Sequence, residues 1–368
     1  MKISVLHFVM CFLFPGMFFS QVERDKTEVA SQPNIILLIG DGMGLSQLSS
    51  AYYFGEGVPN FSRFTTIGLS ITNSGSHKIT DSAAGATAFS CGKKTYNGAI
   101  GVDMDTTSVE TIIEYVSRKN WNTAIVSTSS ITHATPASFF GHTYSRGEQL
   151  ELARQLCYSD VDFFAGGGIK YFTQRLDDKN LLDTLTAQGF DWDTIALPKT
   201  IDSKKKYGFL LAQSGLEQKD KGRGNELEDA SLLALDYLNQ KGDPFFCMIE
   251  GSQIDWGGHN NDANYLIQEV LDFDRTIGKV LDFAEKQGNT IVIVTADHET
   301  GGFTLSGKSK IGPLNKQYDD YNTIEPTFST SGHSSALVPV LVYGPGSNNF
   351  AGIFENTEIY FKMMRIIK

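Results

Sequence analysis

Short apolar runs alternate with amphipathic segments along most of the chain. Residues 34–39, 244–249 and 290–295 are nearly continuous apolar runs, which is the pattern of central strands covered on both faces. Between the last two runs, apolar residues recur at helical spacing over 266–284. Strands that alternate with helices predict an α/β fold, a three-layer sandwich whose central, mostly parallel sheet is covered by helices on both faces.

Weaker patterns complete the predicted order. The further predicted elements are a helix over 109–116, a strand over 123–127, a strand and turn over 161–168, a strand over 338–343 and a closing helix over 355–367. Two regions with less pattern, near 170–225 and 304–328, are predicted to be a small cap and surface insertions. Paired glycines in the polar stretch 250–259 argue against a continuous helix there. We expect residues 34–368 to form a single domain.

The N-terminus has the three parts of a secretory signal: a basic residue, an apolar segment and a polar stretch. A proline and a glycine in the apolar segment make a membrane-spanning helix less attractive. We therefore expect a signal peptide over 1–20, cleavage near Ser20, a linker over 21–33, and a secreted or periplasmic protein without a membrane span. A lipoprotein anchor at Cys11 is the alternative, disfavoured by the bulky Met10 before it.

The formal net charge is −11, which argues against a nucleic-acid-binding or anionic-membrane surface. It does not exclude a small anionic substrate, because bound metal ions can invert the local field. After signal cleavage three cysteines remain, Cys91, Cys157 and Cys247. An odd and sparse set without CxxC spacing indicates core thiols rather than disulfides or metal ligands.

Residues 80–88 are small and read as a turn that leads directly into a helix. Thr80 or Asp81 is a good helix N-cap, so Ser82 is predicted in the first turn, beside unpaired backbone N–H groups and the positive end of the helix dipole. Such a position can hold an anion. The alanines and glycine behind Ser82 would let the helix lie close against a sheet.

Several acidic and imidazole side chains fall on segments that follow predicted strands. In sheets of this kind, ligands bind beyond the carboxyl ends of the strands. The candidates are Asp41, His133, Thr135, Glu250, Asp255, His259, Asp297, His298 and His333. A cluster of Asp and His without Cys suits zinc, and its oxygen-rich positions suit magnesium. We interpret His142 as a core histidine or one that supports the site, and His77 as a loop residue.

These residues lie in motifs that resemble the alkaline phosphatase family. The motifs are Gly-Asp-Gly-Met-Gly around Asp41, Asp81-Ser82-Ala83-Ala84, Thr135-Pro136-Ala137 with Ser145-Arg146, Glu250-Gly251-Ser252 through Asp255 and His259, Thr295-Ala296-Asp297-His298, and Gly332-His333. They recur in the family's order from about residue 33 to 346. The resemblance therefore covers most of the chain that follows the predicted signal.

The resemblance implies a metal-dependent hydrolase of small phosphate monoesters. Ser82 would form a phosphoserine, and Arg146 would grip two phosphoryl oxygens in a fork. Two zinc ions and a third metal, magnesium in the first instance, are implied. Their expected ligands are Asp255, His259 and His333 for the first zinc, Asp41, Asp297 and His298 for the second, and Asp41, Thr135 and Glu250 for the third metal. Because the family is commonly dimeric, a homodimer is among the expected arrangements.

Two positions depart from one familiar bacterial version of the family. His133 stands where an aspartate can occur near the third metal, and Trp256 stands where a lysine can occur near the phosphate. Imidazole is a poor ligand for a hard cation, so zinc and cobalt join magnesium as candidates for the third site. Trp256 removes a cation from the phosphate pocket, so we expect weaker product binding than a lysine would give.

Three alternative functions fit the sequence less well. A sulfatase would need a C/S-x-P-x-R motif, which the sequence around Cys91 does not supply. A phosphodiesterase or mutase of the same superfamily is disfavoured by Arg146 and Glu250, which address the extra charged oxygen of a monoester. An inactive phosphate- or metal-binding protein is disfavoured by the intact Ser82 and its expected partners.

Overall fold

The computed structural model describes residues 32–242 and 244–367, so the predicted signal peptide over 1–20 and most of the predicted linker over 21–33 lie outside the described residues. The strands are β1 (Asn34–Gly40), β2 (Thr66–Ile71), β3 (Asn122–Ser130), β4 (Phe163–Gly167), β5 (Phe190–Asp193), β6 (Lys206–Leu210), β7 (Phe245–Gly251), β8 (Thr290–Thr295), β9 (Glu299–Thr300), β10 (Thr304–Ile311), β11 (Gln317–Thr327), β12 (His333–Ser334), β13 (Val338–Tyr343) and β14 (Gly352–Glu355). The α-helices are α1 (Leu45–Phe54), α2 (Ser82–Cys91), α3 (Ile112–Ser117), α4 (Ala134–Ala137), α5 (Gln149–Cys157), α6 (Ile169–Thr173), α7 (Leu181–Ala187), α8 (Glu226–Lys241), α9 (Gln253–His259), α10 (Ala263–Gln287) and α11 (Thr357–Ile366).

Ten of these strands form one sheet in the order β14-β2-β13-β8-β1-β7-β3-β4-β6-β5. Strand β13 is antiparallel to its neighbours β2 and β8. The other neighbouring pairs of this sheet are parallel. The predicted mostly parallel sheet is therefore confirmed.

Two hydrophobic cores lie on the two faces of this sheet. Strand β1 contributes Ile35, Leu37 and Ile39 to one core and Ile36 and Leu38 to the other, and all five side chains are fully buried. Helices α2, α3, α5 and α11 supply apolar residues to the first core, whereas α8 and α10 supply the second. A strand buried on both faces needs apolar residues at every position, and the predicted three-layer arrangement follows.

Most predicted elements coincide with observed ones to within a few residues, and β8 and β13 match their predicted ranges. The region 170–225 contains two short helices and strands β5 and β6, which extend the edge of the sheet. The region 304–328 contains an exposed antiparallel hairpin of β10 and β11. Within the part of the chain that the structure describes, no helix is long and apolar enough to cross a bilayer.

The expectation that residues 250–259 contain no continuous helix is wrong, because α9 runs through both glycines. Tertiary contact explains why glycine is needed there. A Cβ on Gly257 would lie 2.6 Å from the backbone nitrogen of Leu266, and one on Gly258 would lie 2.9 Å from the carbonyl oxygen of Thr300. The glycines let α9 approach α10 and the β9 segment closely, so they serve packing rather than helix termination.

We expect Gly257→Ala to destabilise the protein, although alanine is the better helix former by about 1 kcal/mol. Its Cβ would meet backbone atoms of Leu266, which cannot rotate away. Overpacking of this kind costs about 1–3 kcal/mol. Urea unfolding of the chelator-treated variant and of the wild type measures the difference. A variant as stable as the wild type, or more stable, would show that the close approach of Gly257 to Leu266 does not exclude a side chain at position 257.

Candidate active site

The candidate ligands gather at the carboxyl ends of four adjacent strands, β8, β1, β7 and β3. Asp41 directly follows β1, Glu250 lies near the end of β7, Asp297 follows β8, and His133 follows β3. Parallel strands end at the same edge of a sheet, so residues more than 250 positions apart in sequence meet there. This juxtaposition was predicted from the sequence pattern.

Ser82 is the first residue of α2, as predicted, and Asp81 is the N-cap. The Asp81 carboxylate accepts a hydrogen bond from the backbone N–H of Ala84 at 3.1 Å. The Ser82 side chain is buried, and its Oγ lies 3.2 Å from Nε2 of His298. The capped helix start therefore presents a hydroxyl directly to the cluster of candidate ligands.

Asp255, His259 and His333 form a first donor group. The Nε2 atoms of the two histidines are 3.1 Å apart, and they lie 3.4 Å and 3.6 Å from Oδ1 of Asp255. Each Nδ1 faces a backbone carbonyl, that of Ser331 for His259 and that of Thr80 for His333. A carbonyl only accepts, so both Nδ1 atoms carry the proton of the neutral ring and both Nε2 atoms present lone pairs to one point.

Asp41, Asp297 and His298 form a second, fully buried donor group. Nε2 of His298 lies 3.5 Å from Oδ1 of Asp41 and 3.3 Å from Oδ2 of Asp297. The other oxygen of Asp297 accepts from the backbone N–H of Gly42 at 3.2 Å. Both carboxylate oxygens of Asp41 and Oδ2 of Asp297 are buried without a hydrogen-bond partner.

Thr300 connects the first two donor groups, and sequence reasoning missed it. Its hydroxyl donates to Oδ1 of Asp255 at 2.5 Å and lies 3.1 Å from Nδ1 of His298. Because the hydroxyl proton is committed to the carboxylate, the hydroxyl accepts from Nδ1 and leaves Nε2 of His298 as a lone pair. The pairing of β9 with β12 also places Thr300 opposite His333. The only sequence signal was its position two residues after His298.

A third donor group consists of Asp41, His133 and Glu250, which each offer one ligand atom within 4.8 Å of the others. Oε2 of Glu250 accepts from the hydroxyl of Ser127 at 2.7 Å, whereas Oε1 is buried without a partner. Nδ1 of His133 and the hydroxyl of Thr135 are also buried and unpartnered. Asp41 belongs to two groups at once, which places its carboxylate between them.

Burial perturbs ionisation throughout the cluster. Burial, and then the neighbouring carboxylates of Asp297, Asp255 and Glu250, raise the pKa of Asp41 well above its ordinary value. Burial also raises the pKa of Asp297 and brings that of Glu250 to about 7. Buried polar atoms normally have partners, so this set of acceptors without donors fits the binding of cations.

Arg146 lies beside the N-cap of α2. Its guanidinium donates to Oδ2 of Asp81 at 3.0 Å and to Nε2 of His133 at 3.2 Å. Burial opposes the ionisation of Asp81, but Arg146 and the backbone N–H groups of Ala84 and Gly98 outweigh it and lower the pKa of that carboxyl. Burial and then Arg146 lower the pKa of His133 to about 3, so its ring is neutral, with Nε2 accepting from Arg146 and the proton on Nδ1.

The remaining residues singled out from the sequence lie around these groups. Trp256 is half-buried, and its ring meets that of His133 edge-on at 6.0 Å between centroids. His142 lies outside the donor groups and contacts Glu114 and the carbonyl of Gly101. His77 is exposed, and its Nδ1 contacts the hydroxyl of Ser76.

In the absence of a bound cation, we expect the free energy of unfolding to fall as the pH rises from about 4.5 to about 7. The pKa of Glu250 is raised from 4.5 to about 7, so over this range the folded protein keeps a proton that the unfolded chain releases. At about 1.4 kcal/mol per pKa unit, Glu250 alone contributes roughly 3 kcal/mol. Urea unfolding of chelator-treated protein across this range measures the slope. Glu250→Gln should flatten it and the exposed Glu217→Gln should not, whereas equal slopes in all three proteins would contradict the assignment.

Comparisons with known proteins point to one family. The model of the family described as alkaline phosphatase matches residues 32–324. Alkaline phosphatase 3 of Bacillus subtilis is 33% identical, with 92% of this chain and 90% of the relative covered. The structure of alkaline phosphatase from the Antarctic bacterium TAB5 superposes with a TM-score of 0.87 at 52% identity, covering 91% of this chain and 98% of that one. A mutant of the TAB5 enzyme in which a histidine is replaced by aspartate, with magnesium bound in a site called M3, has a TM-score of 0.88 at 53% identity and the same coverage. These findings support the hydrolysis of phosphate monoesters, and the chain belongs to the alkaline phosphatase family.

Proposed function

We propose that this enzyme hydrolyses phosphate monoesters in two steps, through a phosphoserine at Ser82, with metal ions held by the three donor groups. The observation that carries the proposal is the convergence of unpartnered, buried acceptor atoms beside one hydroxyl. Five such atoms lie in the donor groups: both carboxylate oxygens of Asp41, Oδ2 of Asp297, Oε1 of Glu250 and Oγ1 of Thr135. Protein donors do not satisfy them, and cations would.

The donor sets suggest which metals they would hold. Asp255, His259 and His333 offer two imidazole nitrogens and a carboxylate, a combination that suits zinc. Asp41, Asp297 and His298 would hold a second zinc ion, and Asp41, Glu250, Thr135 and His133 would hold the third metal. When bound, such ions supply Lewis acidity and stabilise the negative charge that develops on the entering and leaving oxygens.

Ser82 is the proposed nucleophile. In the first step its Oγ forms a bond to phosphorus while the bond from phosphorus to the ester oxygen breaks, and the alcohol leaves with a proton that replaces the one lost by the serine hydroxyl. In the second step a water oxygen forms a bond to the same phosphorus, the bond to Oγ breaks, Oγ regains a proton from the water, and inorganic phosphate is released. Covalent catalysis of this kind replaces one difficult hydrolysis by two easier transfers. The helix start beneath Ser82 favours the negative charge of the phosphoryl group.

Arg146 is proposed to bind two phosphoryl oxygens through its planar guanidinium. Asp81 directly precedes Ser82, so its pairing with Arg146 holds the guanidinium close to the proposed nucleophile. A monoester has the extra charged oxygen that such a fork needs, which favours monoesters over diesters. Trp256, close to His133 and without charge, would leave product phosphate less tightly bound than a lysine would.

The wider context of the enzyme is also part of the proposal. Residues 34–368 would form one domain, with insertions near 170–225 and 304–328, after a signal peptide over 1–20 and a linker. The mature enzyme would then be secreted or periplasmic and act on small phosphate monoesters. A homodimer would follow the habit of the family. The acidic net charge of −11 is the support for the absence of a nucleic-acid partner.

We expect Ser82→Ala to abolish the turnover of p-nitrophenyl phosphate in the metal-loaded enzyme, because no other hydroxyl of the cluster lies at a capped helix start. Ser90→Ala, in the last turn of the same helix, is the matched control and should keep its activity. Acid quenching of wild type incubated with labelled phosphate, followed by peptide mass spectrometry, locates the label. Label on a residue other than Ser82, or persistent turnover in Ser82→Ala, would refute the assignment.

We expect His133→Asp to increase the affinity for magnesium by roughly tenfold or more, because a carboxylate oxygen suits a hard cation better than imidazole does. The magnesium-bound TAB5 mutant, in which aspartate also replaces a histidine, supports this expectation. Calorimetric titration of the zinc-loaded enzyme with magnesium measures the change. His77→Asp at the exposed loop is the control. An unchanged magnesium affinity in His133→Asp would show that His133 is not part of the third site.

A further inference from the structure

Residues 98–101 pair in antiparallel fashion with residues 143–146, and this short ladder supports the loop that carries Arg146. Ile100 and Thr143 exchange two backbone hydrogen bonds of 3.0 Å and 2.9 Å. Further along, the backbone N–H of Arg146 donates to the carbonyl of Gly98 at 2.7 Å. The backbone from which the guanidinium extends is therefore fixed by its partner segment.

The partner segment is in turn attached to the helix of the nucleophile. Gly98 donates its N–H to the carboxylate of Asp81, which precedes Ser82. One turn and more along α2, the hydroxyl of Thr87 accepts from the backbone N–H of Gly101 at 3.1 Å. Both ends of the ladder are thus hydrogen-bonded to α2 or to its N-cap. The geometry of the ladder therefore sets the position of the Arg146 loop relative to Ser82.

The ring of His142 closes the end of this ladder. Its Nδ1 lies 2.7 Å from the carbonyl oxygen of Gly101, and its Nε2 lies 3.0 Å from Oε1 of Glu114. Gly101 has a positive φ of 57°, and a Cβ there would lie 2.8 Å from Nδ1 of His142. The ring thus occupies space that a side chain would need, and it bridges the ladder to α3.

Both groups that the ring faces are acceptors. A backbone carbonyl cannot donate, and neither can an ionised carboxylate, so two hydrogen bonds require protons on both nitrogens of His142. Burial opposes this charge, but the bonds to Glu114 and Gly101 outweigh it and raise the pKa of His142 above 6.5. Burial likewise opposes ionisation of Glu114, but His142 and Thr111 lower its pKa.

The other charged groups near the ring are largely paired with one another. A cavity of about 410 Å³ and a smaller adjoining one of about 310 Å³ lie beside His142. Their titratable or charged lining residues besides His142 and Glu114 are Glu110, Arg118, Arg154, Tyr158 and Asp160. Glu110 pairs with Arg118, and Arg154 pairs with Glu151 outside the cavity. Glu114 is therefore the ionic partner in direct contact with the ring.

We propose that protonated His142 is a positioning residue for phosphate binding: it ties the Arg146 loop to α3 and holds the guanidinium in register with Ser82. The inference rests on the proposed role of Arg146. The contact with Glu114 is attractive only while Nε2 carries a proton, since a bare nitrogen would face a carboxylate. The stabilisation of the Arg146 loop by protonated His142 is therefore fully present below pH 6.5, the ordinary pKa of the ring. It is lost as the pH rises through the raised pKa of His142. The binding of phosphate accordingly weakens as the pH rises through the pKa of His142.

Glu114→Gln tests the need for charge without removing the cap of α3, because glutamine at this position still accepts from the backbone N–H of Thr111 as in a capping box. Its amide N–H can also donate to Nε2 of a neutral ring, so this variant should keep the bridge and lose only its pH dependence. In the metal-loaded enzyme we expect His142→Phe to raise the inhibition constant of inorganic phosphate about tenfold below pH 6.5, less than the hundredfold that a 1 Å misplacement can cost. The ratio of His142→Phe to wild type should fall towards one as the pH rises and His142 deprotonates in the wild type. His77→Phe should follow the wild type.

Two further measurements keep the test decisive. The ring signal of His142 in histidine-labelled enzyme, identified by its loss in His142→Phe, should titrate above the ordinary range and move to lower pH in Glu114→Gln. Combination with Arg146→Ala shows whether the effect passes through the guanidinium, because His142→Phe should then add nothing. An ordinary titration of His142, a pH-independent ratio, or equal effects in both backgrounds would overturn the inference. If Arg146→Ala itself left phosphate inhibition unchanged, the proposed role of Arg146 would fail as well, which distinguishes the two failures.

Discussion

The main constraint on this structure is that several hydrogen-bond acceptors of the candidate site are buried together with too few protein donors to satisfy them. Asp41 is the extreme case, since both of its carboxylate oxygens are buried and unpartnered. Each buried polar group without a partner costs about 1–3 kcal/mol, and charged groups cost more. Such an arrangement is sustained by the scaffold around it and is relieved by cations. The apolar strands that carry these residues supply that scaffold, because each is buried on both faces of the sheet.

The orientation of the imidazoles comes from less conspicuous groups. The carbonyls of Thr80 and Ser331 and the hydroxyl of Thr300 each take the Nδ1–H of one histidine. A neutral ring whose Nδ1 is protonated presents Nε2 as a lone pair. Three rings thereby present Nε2 as a lone pair, so the proposed binding of cations would require little reorganisation of these side chains.

The sequence predicted the central strands and the residues that follow them, because both depend on local patterns. Asp41 and Asp297 were found because each follows an apolar run that can only be a buried strand. Other features depend on contacts between distant segments and leave no periodic signal. In the sequence, the glycines of α9 indicate a loop, and only the structure shows that they allow Leu266 to pack closely. The contacts of Thr300 can be recognised only when the positions of Asp255 and His298 are known. Strand β5 at the sheet edge is mostly exposed, so its side chains carry no apolar run.

The two halves of the candidate site are joined by α2. Asp81 faces the Arg146 loop, whereas Ser82 faces His298, so a shift of this helix would change the distance of the hydroxyl from both the guanidinium and the ligands. All ten residues of α2 are buried, and a Cβ on Gly85 would lie 3.0 Å from that of Asp297. Larger side chains would push the helix away from the strand ends. The small side chains of this helix are therefore a condition for bringing the Ser82 hydroxyl, the proposed nucleophile, close to the candidate ligands.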